Sequence, residues 1–319
     1  MSSLTDQGGE TTDPLAGCIA LAGPTAVGKS EVALLLAERS NGEIISVDSM
    51  QVYRGMDIGT AKPSASDRAR VRHHLIDVVS LSEPFDAALW VRSAQAAISE
   101  IKSRGKTPIL CGGTGLYFMA LFGGLGEAPP SDTKLRRALE ALPLSELLEE
   151  MAAADPVLYG SIDRNNPRRV IRAIEVIRLT GKPFSGQRAN WRREAQAAAA
   201  SPRAFALARS SADLHARIDA RVDSMFQHGL VAETGQLLAQ GLGENRTALQ
   251  ALGYRQVAEH LQGLRSLTQA IELVKIRTRQ FAKRQMTWFR RQGHWLWVKA
   301  APDESARDIL EQIGRASSV

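Results

Sequence analysis

The sequence predicts an α/β protein, a parallel sheet covered by helices and interrupted by a helical insertion. Three observations carry this. Strand-like and helix-like patterns alternate through the first 120 residues; the motif G-x-x-x-x-G-K-[ST] joins the first strand to the first helix; and residues 133–194 carry helical patterning alone.

In chain order, Cys18–Ala22 is a short apolar run ending at a glycine, as a buried strand does. Residues 29–40 set Val32, Leu35 and Leu36 at helical spacing. Glu43–Val47 is the second strand, 48–62 a long polar connection, and Leu75–Val79 a third strand. Residues 86–103 gather Leu89, Trp90, Ala94, Ala97, Ile98 and Ile101 on one helical face, and Pro108–Cys111 is a fourth strand stopped by Gly112-Gly113. Three glycines and two prolines between Gly123 and Asp132 mark a hinge. Beyond it, Asn165-Asn166-Pro167 starts a helix and Thr180-Gly181-Lys182-Pro183 stops it. Ala195–Ala200 reads as a linker, Arg203–Ala208 as a returning strand, and helices follow, the longest over about 266–292. The expected divisions are a flexible extension (1–17), a first part of the core (18–128), a helical insertion domain (129–199), and a second part of the core with basic C-terminal helices (200–319).

Composition narrows the function. With 44% apolar and 23% charged residues in 319, the chain is neither disordered nor fibrous. No apolar run nears the ~18 residues of a membrane span, so no membrane association is expected, and the polar first 17 residues are not a secretory signal. Two cysteines, Cys18 and Cys111, form neither a disulfide framework nor a zinc cluster, and a reducing, cytoplasmic location follows as the expectation. The net charge of +6 is unevenly placed: residues 161–193 carry +7, residues 271–299 another +7, and the rest −8. Two basic segments on an acidic body point to a polyanion larger than a metabolite.

Gly23-Pro24-Thr25-Ala26-Val27-Gly28-Lys29-Ser30 is the phosphate-loop motif, here in its strand-to-helix context. Its glycines let backbone N–H groups surround phosphate oxygens, the helix directs its positive end at them, Lys29 adds a mobile charge, and the Ser30 hydroxyl suits Mg²⁺. The motif implies a di- or triphosphate without choosing one, and defines a P-loop NTPase-like parallel sheet core with a helical insertion domain. The metal-side acid that usually closes a neighbouring strand is missing after Cys111. Asp48, at the carboxyl end of the second strand, is a metal-side acid, a general base or a turn cap. Thr114 stands on the same edge.

At this point the chain resembles the tRNA dimethylallyltransferases, also called tRNA isopentenyltransferases, over residues 18–295. The resemblance rests on Gly23–Ser30, Ile45–Tyr53, Met56–Pro63, His73–Asp77, Gly112–Tyr117, Arg169–Glu175, Ala251–Gln256 and Thr278–Gln285. It implies transfer of a dimethylallyl group from its diphosphate to N6 of adenosine 37 in the tRNA anticodon stem-loop, with Mg²⁺ present. It also implies that the loop grips a leaving diphosphate, so no nucleotide need be hydrolysed. Asp48 becomes the base for the N6 proton, with Thr114 beside it as a second catalytic residue. Gly23–Ser30, Thr114 and one of Arg217 and Arg221 would surround the diphosphate, the alternative for the arginines being exposed pairing with Asp219 or Asp223. The family's tRNA contacts fall on Asp48, Ser49, Met50, Gln51, Thr114, Arg136, Arg168, Arg169, Val170, Ile171, Arg172, Gln250, Arg255, Lys283, Arg284 and Arg290, which makes the insertion one side of a tRNA clamp and the chain a monomer. With two scattered cysteines, the C-terminal zinc finger that eukaryotic relatives often add is not expected, and recognition is expected to rest on the two basic segments. Trp288, Trp295 and Trp297 are expected in core packing rather than stacked on RNA, and His73 and His74 in the scaffold. The rivals are a small-molecule or nucleotide kinase, a prenyltransferase acting on free adenine nucleotides, and a non-enzymatic RNA-binding protein.

Overall fold

The computed structural model describes residues 13–189 and 203–316. The Ala195–Ala200 linker, the first twelve residues of the extension, and Arg192 and Arg193 of the first basic segment lie outside the described residues. By internal contacts the chain forms two compact units, Gly123–Glu194 and the remainder. The second unit therefore begins six residues ahead of the expected 129.

The larger unit is built on six parallel strands: β1 (Ile19–Ala22), β2 (Gly42–Val47), β3 (His73–His74), β4 (Thr107–Gly112), β5 (Arg203–Ala208) and β6 (Leu296–Lys299), in the order β3-β2-β4-β1-β5-β6. Alternate side chains pass to opposite faces, as strand geometry requires. Ala20, Ala22, Ile45, Val47 and Leu110 enter one core, and Ile19, Leu21, Ile44, Ile109 and Phe205 enter the other. Both faces are thus covered, which explains the nearly continuous apolar runs.

Against the first face pack α3 (Ala87–Ser103), α4 (Gly115–Gly123), α10 (Leu230–Ala239) and α11 (Tyr254–Leu261), through Trp90, Phe118, Leu237 and Tyr254. Against the second pack α1 (Lys29–Arg39), α9 (Ser211–Gln227) and α13 (Ala306–Ala316), through Val32, Ile218 and Ile309. The long helix α12 (Leu267–Arg291) gives Val274 and Ala282 to the second core and Phe289 to the first. Its start is fixed by a capping box between Ser266 and Gln269.

Three expectations need correction. The third strand is His73–His74, not Leu75–Val79, because Leu75 and Asp77 adopt φ of +61° and +58°, outside any strand. Asp77 is held there by Lys62 and Arg68, and Lys62 also donates to the Tyr53 carbonyl at 2.7 Å. The chain after β5 is not helical throughout, since β6 joins the sheet edge. Residues 13–17 are not loose: Leu15 is buried, and Lys102 donates to the Pro14 carbonyl at 2.7 Å. The short helices α2 (Ala65–Arg70) and α4 were not foreseen.

The smaller unit contains α5 (Thr133–Glu140), α6 (Leu144–Ala154), α7 (Pro156–Tyr159) and α8 (Pro167–Thr180), around a core of Leu139, Leu147, Met151, Leu158, Val170 and Ile174. α8 starts and stops where the sequence indicates: the Asn166 side chain accepts from the Arg169 N–H, and Gly181 closes the helix with φ +66°.

Candidate active site

The phosphate loop runs from β1 to α1. Gly23 is required there, since a Cβ would lie 2.8 Å from the Leu207 carbonyl oxygen. Gly28 takes φ +104° ahead of α1. Lys29 Nζ folds back to donate to the Pro24 carbonyl at 2.6 Å. Burial draws its ammonium down to about 8, assisted by Arg221 and resisted by Cys111 and Asp48. Two arginines hold the outside of the loop: Arg217 Nε donates to the Ala26 carbonyl at 2.9 Å, and Arg209 Nε to the Val27 carbonyl at 3.0 Å. Ser30 is exposed at the head of α1.

Asp48 ends β2 on the same edge. Its Oδ1 accepts from the N–H groups of Met50 at 2.8 Å and Gln51 at 3.3 Å, so it does cap the following turn. No hydrogen bond engages Oδ2 among the described residues, which leaves one carboxylate oxygen for chemistry. Thr114 lies opposite: its Oγ1 accepts from the Ser49 N–H at 3.2 Å, and its own N–H donates to the Val47 carbonyl at 3.1 Å. The Gly112-Gly113 turn is glycine for space, because a Cβ on Gly112 would lie 2.1 Å from the Val47 carbonyl oxygen. Gln51 ties the polar connection together, accepting from Ser46 Oγ at 2.8 Å and donating to the Thr60 carbonyl at 3.1 Å. Glu233 holds the far part of that connection by accepting from the Ile58 N–H at 2.9 Å and the Tyr254 hydroxyl at 2.6 Å.

These elements enclose a cavity of about 390 Å³. Its lining is polar at Thr25, Lys29, Ser30, Asp48, Thr114 and Arg221 and apolar at Ile218, Val222, Met225, Val274 and Phe281. The two candidate arginines are placed differently. Arg221 lines the cavity, where burial lowers its pKa against the pull of Asp48, while Arg217 braces the loop from outside. Their helix neighbours are engaged elsewhere: Asp219 pairs with Arg279, and Asp223 with Lys275 at 2.8 Å.

The remaining sequence-derived residues divide. Ser49, Met50, Gln51, Gln250 and Arg284 line the cavity. Lys283 and Arg290 are exposed on α12, and Arg255 pairs with Glu259 at 3.2 Å. In the insertion unit, Arg168 and Arg169 are exposed, whereas the Val170 side chain is wholly buried and Ile171 is half-buried beside it. Arg136 and Arg172 both donate to the buried Glu175 at 2.7 Å, and Arg172 also holds the Pro129 carbonyl at 2.5 Å. Trp295 is core, ringed by Phe118 and Phe289, and Trp288 packs edge-on to Phe289; Trp297 on β6 is more than a third exposed. His74 Nε2 donates to the Glu43 carboxylate at 2.7 Å, and no cluster of His, Cys, Asp or Glu among the described residues could hold a metal ion.

Two positioning groups were missed. Arg209 carries no motif. Gln285 stood inside a recognised segment, but nothing in the sequence shows that it is buried and reaches back to the phosphate loop.

A phosphate loop that opens onto an apolar lining is the arrangement of a P-loop α/β enzyme handling a substrate part phosphate and part hydrocarbon. The chain belongs to the IPP transferase family, whose model matches residues 51–292. It is 44% identical over 281 residues to tRNA dimethylallyltransferase 1 of Citrifermentans bemidjiense, covering 88% of this chain and 91% of that one. It is 46% identical over 295 residues to the protein of the same name from Trichlorobacter lovleyi, covering 90% and 95%. Among solved structures, the tRNA isopentenylpyrophosphate transferase of Bacillus halodurans matches with a TM-score of 0.68 at 38% identity, covering 94% and 95%. A eukaryotic dimethylallyltransferase acting on tRNA matches with a TM-score of 0.78 at 28% identity, covering 94% of this chain and 78% of that one.

Proposed function

We propose that this protein transfers the dimethylallyl group of dimethylallyl diphosphate to N6 of adenosine 37 in the tRNA anticodon stem-loop. The observation that carries the reading is the unengaged Asp48 Oδ2, which shares one cavity with the phosphate loop and the apolar side chains of Ile218, Val222, Met225, Val274 and Phe281. The C–O bond to diphosphate breaks, the N6–C bond forms, and the N6 proton passes to Asp48. An exocyclic amine is a poor acid, so the base acts as positive charge builds on nitrogen. Thr25, Lys29, Thr114 and Arg221 stabilise the diphosphate as charge develops on it. The apolar lining takes the hydrocarbon and keeps water from the allylic carbon.

The target base enters by leaving its stack. Asp48–Gln51, Thr114, Gln250, Arg255, Lys283, Arg284 and Arg290 meet the tRNA on the larger unit, and Arg136, Arg168, Arg169 and Arg172 on the insertion. Mg²⁺, when bound with the diphosphate, would neutralise part of its charge. With no acid cluster among the described residues, the exposed Ser30 hydroxyl is the protein group suited to it. A monomer is the state, and the cytoplasm the compartment, proposed for the protein.

The test is incubation with radiolabelled dimethylallyl diphosphate and bulk tRNA, followed by nucleoside analysis. Label in N6-dimethylallyladenosine from position 37, without ATP, is the expected result. Label confined to free AMP, or transfer that strictly requires ATP turnover, would overturn the reading.

A further inference from the structure

We infer that Gln285 is a positioning residue for the transfer, and that its amide sets the phosphate loop and the Thr114 turn in register with each other. The inference rests on the proposed reaction. Gln285 lies on α12, near the exposed Lys283 and the cavity-lining Arg284, but its side chain is buried. Its Oε1 accepts from the Thr25 N–H at 2.9 Å, and its Nε2 donates to the Gly113 carbonyl at 2.9 Å. Thr25 belongs to the loop after β1, and Gly113 immediately precedes Thr114 after β4, the strand beside β1. One amide therefore spans the two turns that would hold the diphosphate.

The fit is tight around it. A Cβ on Gly113 would lie 2.3 Å from Gln285 Nε2, and a Cβ on Gly115 would lie 2.2 Å from the Trp288 ring, one helical turn along α12. Gly113 and Gly115 thus make room for a face of α12. The bridge also demands an amide, because it needs one acceptor and one donor on the same planar group. Leucine offers neither. Glutamate keeps the acceptor for Thr25 but sets a second oxygen against the Gly113 carbonyl until it binds a proton. A protonated glutamic acid restores both bonds with the geometry of the amide.

That difference supplies a test which a merely structural role would not pass. Single-turnover transfer to tRNA is measured for wild type, Gln285→Leu and Gln285→Glu from pH 5 to 8, with inorganic pyrophosphate affinity measured in parallel. Losing two buried hydrogen bonds should slow the leucine variant roughly 10- to 100-fold at saturating substrate. The glutamate variant should match that loss at pH 8, and its rate relative to wild type should recover as pH falls. Pyrophosphate affinity should weaken with the same pH pattern. A glutamate-to-wild-type ratio that stays flat across the range would overturn the inference, as would a leucine variant within twofold of wild type. If leucine fails to fold, the glutamate ratio still decides. If wild type itself transfers no label to tRNA, the proposed reaction fails instead, and pyrophosphate affinity alone then judges Gln285.

Discussion

Replacing Asp48 by asparagine separates its two roles, because the structure assigns them to different oxygens. Oδ1 holds the Met50 and Gln51 N–H groups, and an asparagine carbonyl can do the same. Oδ2 becomes an NH₂ that cannot take a proton. Loss of a general base costs about 10²–10⁴ in rate, or about 3–5 kcal/mol of barrier. Stability should change little. Alanine, by contrast, also removes the cap, at about 1–2 kcal/mol, which lowers Tm by roughly 1–3 °C in a protein of this size. The assay is single-turnover transfer to tRNA at saturating substrate, beside thermal melts of all three proteins. Asp48→Asn should lose rate with normal substrate binding and melting, and Asp48→Ala should lose both rate and Tm. A chemical step in Asp48→Asn within a few-fold of wild type would refute the assignment of the base, and the cap would then be the whole of its role.

Three further outcomes are expected. Lys29 has its pKa drawn down to about 8, so it is charged below that pH and neutral above it; pyrophosphate affinity should fall as pH rises through 8 in wild type and stay nearly flat in Lys29→Ala. The same shift has a stability sign: between pH 8 and the ordinary lysine value the unfolded chain holds more protons than the folded one, so ligand-free wild type should gain stability there relative to Lys29→Ala in denaturant titrations. Arg168 and Arg169 are exposed, whereas Arg172 helps hold Glu175, so the double change of Arg168 and Arg169 to alanine isolates the tRNA contribution; tRNA affinity should weaken and the log–log salt slope flatten by roughly 1–2, with pyrophosphate binding unchanged. Finally, burial opposes the charge on Glu175, but Arg172, Ser131 and Arg136 outweigh it and hold the carboxyl below its usual range. Glu175 therefore stabilises the fold above the ordinary glutamate pKa and loses that effect as pH falls through the lowered value; Glu175→Gln should cost about 1–3 kcal/mol at neutral pH, seen as a melting deficit that shrinks in acid.

How much of this was legible depends on whether the deciding interaction was local. The phosphate loop, the ends of α8 and the alternation of β1, α1, β2, α3 and β4 are written in neighbouring residues, and the chain shows them there. The run Leu75–Val79 looked like a strand because it is apolar, yet distant Lys62 holds Asp77 in a left-handed turn. β6 was hidden by its brevity and its exposure on a sheet edge. Asp48 was found in the sequence, but its division into a capping and an unengaged oxygen was not. The choice between Arg217 and Arg221 needed the turn of α9 against the loop, and Gln285 needed a contact across 260 residues.

That last separation bears on how the protein is made. β1 and the phosphate loop leave the ribosome first, but β1 is flanked by β4 and β5, and its loop is braced by Arg209, Arg217 and finally Gln285. Chain growth at roughly 5–20 residues per second puts many seconds between the first glycine of the loop and the amide that sets it. Until α12 emerges, a nascent chain has the motif without the grip. A polypeptide stalled or cleaved ahead of Gln285 would therefore compete poorly for diphosphate, and the growing chain matures into an enzyme only near the end of its synthesis.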